Sequence, residues 1–425
     1  MGPRLPLNVL FVVPYAPTRI RTRSFHFIRS LAEAGHRLTV ASVWSDQEDR
    51  EALEALRARG VSIVAERLSA RQSAWNCLKA LRSPDPLQAH YSWSDVLATR
   101  IATALGKQSF DVVHVEHLRG ARYGTGVLDG FERRGRPGPP VVWDSVDCIT
   151  SLFRRAARES PTARVRLAAR LELRRTPGFE RRVASRFNRV LVTSEVDRRE
   201  LVALGAEGVP PLDPERVTVV PNGVDLTYFS TADEPRRRTS LVMTGKMSYH
   251  ANVTAATAFV RDVMPRVWRD VPETQLWIVG KDPAPEIVRL GERVSPDQVP
   301  GACASPSRVL VTGTVPDLRP FLRQATVAVA PIQYGVGIQN KVLEALACGT
   351  PVVATSEAVS ALDVRSGEEL CVANDPPALA SAIVSLLKAP GECQRMGEAG
   401  RRFVERCHDW ARLATRLATI YAHAR

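Results

Sequence analysis

Lys341 and Glu344 stand three positions apart in a stretch, Ala328–Thr355, that could bind an anion and a sugar. The stretch runs from an apolar segment (Val327–Pro331) through a turn with Gly335 and Gly337 into a helical pattern over about Ile338–Ala347. Gly349 and Pro351 close that helix, and a second apolar segment, Val352–Thr355, follows. A lysine and a glutamate three apart share one face of a helix. The free N–H groups of the turn and the positive helix end make the turn an anion site. The chemistry open to these residues is binding of a nucleotide diphosphate, with the acid left for ribose hydroxyls. An ordinary strand–helix–strand unit with a surface ion pair fits the stretch equally well.

Three other clusters carry reactive types. Glu116, His117 and Arg119 follow the apolar run Phe110–Val115, putting an acid, an imidazole and a guanidinium at one strand end. Asp144 and Asp147 follow Val141–Trp143, where turn capping would equally account for them. Arg19, Arg21 and Arg23 lie in the loop after Leu7–Val13.

The elements that position these residues alternate between strand and helix. Strand Leu7–Val13, helix Ser24–Ala34 and strand His36–Ser42 open a doubly wound parallel sheet, whose ligands bind beyond the carboxyl ends of the strands. No GxGxxG follows the first strand, which argues against a dinucleotide-dependent oxidoreductase. A helix over Arg50–Arg59 and a strand over Val61–Ala65 follow, and Phe110–Val115 delivers Glu116 and His117 into a loop. Phe153–Phe187 reads as arginine-heavy helix broken near Thr176–Gly178. Such a run is either a solvated face or a helix resting on an acidic bilayer. The loop Gly208–Pro214 marks a domain boundary, after which the pattern restarts. Strands Ser240–Thr244 and Gln275–Val279 lead into Gly245-Lys246 and Gly280-Lys281, with a helix over about Val253–Asp270 between them.

The 425 residues predict two or three domains. No apolar run approaches a membrane span, and Met1–Pro6 lacks the apolar core of a signal peptide. Seven cysteines without CxxC or metal-like spacing predict a reducing compartment, hence the cytoplasm, and no structural zinc. The net charge of +13 favours an anionic partner. Nucleic acid is disfavoured, because no aromatic-basic platform accompanies the charge.

With these motifs in order, the chain resembles the GT-B-fold retaining glycosyltransferases of family 4 (group 1), and within them the exopolysaccharide-type transferases most. The resemblance rests on Pro221–Asp225, Val279-Gly280, Gly313–Leu318 and above all Leu343–Ala345 through Gly349–Ala354. It is most specific over residues 215–360. It implies an α/β GT-B fold: two Rossmann-like, doubly wound parallel-sheet domains facing a cleft. The expected domains are residues 1–207, completed by a C-terminal helix at 408–425, and residues 208–407. The implied reaction is metal-independent transfer from a nucleotide-diphosphate sugar, a co-substrate rather than a cofactor, to a glycan or lipid-linked acceptor. Configuration would be retained, at the inner face of an anionic membrane or free of it. Position by position, the resemblance implies donor binding by Lys246, Lys281, Gly335, Gly337, Ile338, Lys341 and Glu344. It places Glu116 and His117 near the reacting sugar, and Arg19, Arg21, Asp144 and Asp147 are the acceptor-side candidates. Two positions depart from the family. Val336 stands where the first of two motif glutamates is expected, and Asn252 stands in place of a second basic residue, whose charge Lys281 or Lys341 would supply. A nucleotide-sugar epimerase of the same fold and a catalytically silent sugar-nucleotide-binding protein are the competing readings.

Overall fold

The structure is a computed structural model that describes residues 6–18, 20–159, 163–205, 208–231, 236–295, 307–334 and 338–424. Among these residues the strands form two parallel sheets of seven. The first contains β1 (Asn8–Val13), β2 (Arg37–Trp44), β3 (Ser62–Arg67), β4 (Val112–Glu116), β5 (Val141–Val146), β6 (Arg189–Val192) and β7 (Val217–Val219). Their order is β3-β2-β1-β4-β5-β6-β7. Val9–Val13 and Val112–Glu116 are buried throughout, as expected of parallel strands covered by helices on both faces.

The second sheet contains β8 (Ser240–Thr244), β9 (Gln275–Val279), β10 (Glu292–Arg293), β11 (Val309–Gly313), β12 (Val327–Ala330), β13 (Val352–Ala354) and β14 (Cys371–Val372). Its order, β10-β11-β9-β8-β12-β13-β14, resembles that of the first but places β11 between β9 and the two-residue edge strand β10. In each sheet the chain crosses to the other side of its first strand, a reversal that falls between β1 and β4 and between β8 and β12. The carboxyl ends of strands at such a reversal leave a crevice where open α/β sheets bind ligands.

The first unit extends beyond the expected boundary at 207/208. It runs to Pro221 and includes the helix Trp410–Ala422; Asn222–Asp409 form the second unit. The reason is the pairing of Val217–Val219 with β6, which keeps the chain in the first sheet for one more strand. The terminal helix starts at Trp410 and closes the first unit's core. Trp410, Leu413, Leu417 and Tyr421 are buried against Val9, Phe11, Phe27 and Leu31, and the His26 ring stacks on Trp410 at 5.2 Å.

Two local readings are also corrected. Glu116 is the last residue of β4 rather than a loop residue, and helix His117–Arg133 begins immediately after it. His117 makes this possible by taking φ 64°, a left-handed conformation that turns strand directly into helix. The helix expected over Val253–Asp270 starts earlier, at His250, and passes through a π-helical turn at Phe259–Val263. Pro265 explains the irregularity, since it has no N–H for the helical ladder. The arginine-heavy stretch forms helices Ile149–Glu159, Ala163–Leu173 and Thr176–Arg186.

Candidate functional site

The β8/β12 reversal gathers most of the expected donor residues. Helix Asn340–Ala347 buries Val342, Leu343, Ala345, Leu346 and Ala347, so its i,i+3 spacing leaves Lys341 and Glu344 half-buried on the other side. Its carboxyl end is held from several directions. Gly349, at φ 66°, donates to the Leu346 carbonyl, and Thr350 N–H donates to the Ala345 carbonyl. The Arg236 guanidinium donates to the Cys348 carbonyl at 2.9 Å, and Arg401 donates to the Ala347 carbonyl at 2.6 Å. Two cations on the last carbonyls also complement the helix dipole.

Lys341 does not stay beside Glu344. Its ammonium donates to Asn252 Oδ1 at 2.6 Å, and Asn252 Nδ2 donates back to the Lys246 carbonyl at 2.9 Å. The chain therefore bridges β8 and β12 across the reversal. Lys341 reaches Asn252, at the position where the second basic residue is missing, whereas Lys246 and Lys281 have exposed side chains. Burial pushes the Lys341 ammonium down to about 8, although the Glu344 charge pulls the other way. Burial pushes the Glu344 carboxyl up to about 7 against the attraction of Lys341. Ile338 is half-buried against the second unit's core. Gly335 and Gly337 lie outside the described residues, as does Val336 between them.

Beneath Lys341 the strand-end turns are packed backbone on backbone. Gly245 N–H donates to the Val279 carbonyl, Gly280 N–H to the Gly313 carbonyl, and Met247 N–H to the Lys281 carbonyl. A Cβ on Gly280 would fall 1.7 Å from the Gly245 oxygen. Only glycine permits that approach, so Gly280→Ala is expected to lower stability by about 1–3 kcal/mol as the two turns separate. A denaturant midpoint equal to that of the parent would show that the turns have more slack.

At the β1/β4 reversal a second cluster lies in the first unit. The Tyr15 hydroxyl donates to Glu116 Oε1 at 2.5 Å. Burial, helped by the Asp144 charge, raises the Glu116 carboxyl to about 7. Asp144 is fully buried. It takes a 2.7 Å hydrogen bond from Arg23 Nε and lies 3.7 Å from His114 Nε2, so its carboxylate faces neighbours within the core rather than solvent. Asp147 is half-buried and accepts from the Thr193 hydroxyl at 3.2 Å; burial and nearby Asp197 raise its carboxyl to about 6. Arg21 pairs with Asp49 at 3.0 Å and lies over the Tyr15 ring. Arg19 lies outside the described residues.

His117 is the more available of the two expected catalytic residues. The Arg119 N–H donates to His117 Nδ1 at 3.2 Å. A backbone N–H can only donate, so Nδ1 carries no proton and Nε2–H remains to be given. Burial lowers this imidazole to about 4, which keeps it neutral at pH 7. A bulky residue in the left-handed region at a strand end is strain of the kind that gathers at functional sites. Tyr15 carried no sequence signal, and neither did the pairing of Arg23 with Asp144; Arg23 itself stood out in the arginine-rich loop, and Lys341 was one of two lysines expected to make up the charge missing at Asn252. The glycine-rich strand ends were the visible sign of close packing there.

Comparison with known families agrees with the two-unit division. Residues 21–228 match Glycosyltransferase Family 4, and residues 238–389 match Glycosyl transferases group 1. Together the matches cover most of the chain. The chain belongs to the group 1 glycosyltransferases. Among curated relatives of this family it is 34% identical to the alpha-maltose-1-phosphate synthase of Mycolicibacterium smegmatis over 236 residues, 50% of this chain and 58% of that one. It is 29% identical to the phosphatidyl-myo-inositol mannosyltransferase of Mycobacterium tuberculosis over 245 residues, 55% of this chain and 58% of that one. The chain thus spans little more than half the length of the curated relatives it matches. The Anabaena protein HepE, solved with UDP and glucose, superposes with a TM-score of 0.60 at 12% identity, over 98% of this chain and 100% of that one. The two seven-stranded sheets are those of the GT-B glycosyltransferase fold.

Proposed function

We propose that this group 1 glycosyltransferase moves a sugar from a nucleotide-diphosphate sugar to a glycan or lipid-linked acceptor, retaining the anomeric configuration. The observation that carries the reading is the placement of Lys341 and Glu344 on one helix at the β8/β12 reversal, with the Lys341 ammonium 2.6 Å from Asn252 above the Gly245 turn. Breaking the anomeric bond builds negative charge on the departing diphosphate. A preorganised ammonium in a partly dry site stabilises that charge most where solvent screens it least. Lys341 serves this role, with exposed Lys246 and Lys281 as further cations, and the ionised Glu344 accepts from ribose hydroxyls. His117, neutral with Nε2–H to give, is the hydrogen-bond donor for a sugar hydroxyl. Glu116, buried against Tyr15, holds the strand end that presents it. UDP bound to HepE supports a nucleotide diphosphate as the donor's leaving group. The named activities of the mycobacterial relatives support glycan and glycolipid acceptors. This chemistry needs no metal to neutralise the diphosphate. The test is nucleotide release from UDP-, GDP- and TDP-sugars with and without lipid-phosphate and oligosaccharide acceptors. Acceptor-dependent release with the product anomer matching the donor is expected. An isomerised sugar without acceptor would make the protein an epimerase. Binding without turnover would make it a silent binder, the reading that Val336 and Asn252 favour.

A further inference from the structure

We infer that the outer faces of helices Ala70–Ala80 and Ala163–Leu173, in the first unit, form a docking surface for an anionic lipid bilayer. On the first helix, Ser73 and Ala80 are buried, so the opposite side presents Trp75 and Leu78, 53% and 54% exposed. On the second, Ala169 and Glu172 are buried, and Leu167 and Leu171 face away from them at 60% and 53% exposure. Large apolar side chains left in water at helical spacing mark a surface that expects a covering.

The two helices are neighbours. The Arg175 guanidinium, two residues beyond the second helix, donates to the Ala80 and Leu81 carbonyls at 3.2 and 3.0 Å. Glu172 accepts from Leu87 N–H, and its charge acts on the Cys77 thiol of the first helix. Within the two helices and the residues that follow them directly, the exposed charge has one sign. Residues 70–82 contain Arg71, Lys79 and Arg82 and no acid; residues 163–175 contain five arginines and a single acid, Glu172, which is buried. Lys79 also lies 5.5 Å over the Trp75 ring, so the indole and the cation occupy one spot.

This combination selects the occupant. Arginine and lysine alone would suit any polyanion, but nucleic acid has no place for outward-facing leucines. A second copy of the chain would bring like charge against like. Acidic headgroups over acyl chains satisfy both halves, with the cations at headgroup level and Trp75, Leu78, Leu167 and Leu171 in the boundary below. Among the described residues no helix is long and apolar enough to cross a membrane, so this is contact with a surface. The inference deepens the proposed reading, since a bilayer is where a lipid-linked acceptor would be met, but the binding itself requires no donor.

Flotation of the whole protein with vesicles of phosphatidylcholine plus phosphatidylglycerol, against phosphatidylcholine alone, tests it. Binding to the anionic vesicles only, weakening with salt, is expected. Trp75→Ala with Leu78→Ala, or Leu167→Ala with Leu171→Ala, should each reduce partitioning about tenfold or more. Quenching of tryptophan emission by brominated lipid should shrink in Trp75→Ala. Absent binding, binding indifferent to lipid charge, or variants that bind like the parent would overturn the assignment. So would self-association of the free protein that these substitutions abolish, because the face would then belong to a second copy. Calorimetric binding of UDP-sugars, measured on the same variants, should be unchanged. A protein that binds vesicles but no nucleotide sugar would defeat the transferase reading and leave this one standing.

Discussion

Glu344→Gln is expected to weaken nucleotide-sugar binding about tenfold to a hundredfold, the cost of losing one or two hydrogen bonds to a charged acceptor. The pH profile makes this expectation specific. The carboxyl sits at about 7, so only its ionised half accepts from ribose hydroxyls at neutral pH. Parent affinity should therefore climb about sixfold between pH 6 and about pH 7.5, as the ionised fraction of Glu344 rises faster than the protonated fraction of Lys341 falls. It should turn down at higher pH as Lys341, at about 8, loses the proton that meets the diphosphate. In Glu344→Gln the acid limb should flatten and the alkaline limb remain. Stability should move the opposite way. A carboxyl raised in the folded state holds its proton more tightly than in the unfolded chain, so its contribution is lost as pH rises from the ordinary carboxylate range through 7. Removing that charge should leave the variant as stable as the parent or more so at pH 8, separating lost binding from lost fold. Calorimetry at four pH values decides the matter: an unchanged donor affinity and an unchanged acid limb would remove Glu344 from the ribose.

The alternation of apolar strands with helices was legible because parallel strands buried on both faces leave long apolar runs, such as Leu7–Val13 and Val327–Pro331. Helix Asn340–Ala347 was legible for a similar reason, since a glycine stop and a 3.6-residue period are local signals. The boundary was not. Val217–Val219 reads locally as a strand, but which sheet it joins is decided only by its pairing with β6, a partner that no local pattern names. The same limit explains the site. Lys341 and Glu344 fitted an ion pair as well as a donor site, because spacing along one helix is all that a sequence displays. The lysine's actual partner, Asn252, is 89 positions away and arrives through the β8/β12 reversal. Asp144 looked like an available acid because it follows a short apolar run. Its burial depends on Arg23, 121 residues earlier, folding over the strand end.

That arginine carries the largest expected effect on stability. Arg23 is 4% exposed and Asp144 not at all; the pair meets at 2.7 Å, and Arg23 also donates to the carbonyls of Val220 and Pro221, where the chain leaves the first unit. Arg23→Met should destabilise the first unit by about 3–5 kcal/mol, because it strands a carboxylate in the core. Most of that is a penalty on Asp144 rather than the net worth of the pair, so Arg23→Met with Asp144→Asn should recover a large part of it. The deficit should also depend on pH in a direction set by His114. Its Nε2 is 3.7 Å from Asp144 Oδ2 and its Nδ1 is 2.8 Å from the Tyr421 hydroxyl. Burial, aided by the Arg23 charge, now holds this imidazole at about 4, while Asp144 pulls upward. With the guanidinium gone, the folded-state value rises, so the imidazolium can form beside the stranded carboxylate. A raised folded value gives stability that is present at low pH and lost as pH rises through it, so the Arg23→Met deficit should be smaller near pH 5 than at pH 8. Chemical denaturation at the two pH values measures this. A deficit below about 1 kcal/mol at pH 8, or one that does not shrink on acidification, would show that Asp144 reaches water or another cation, and that the core pair is not what holds the β5 strand end in place.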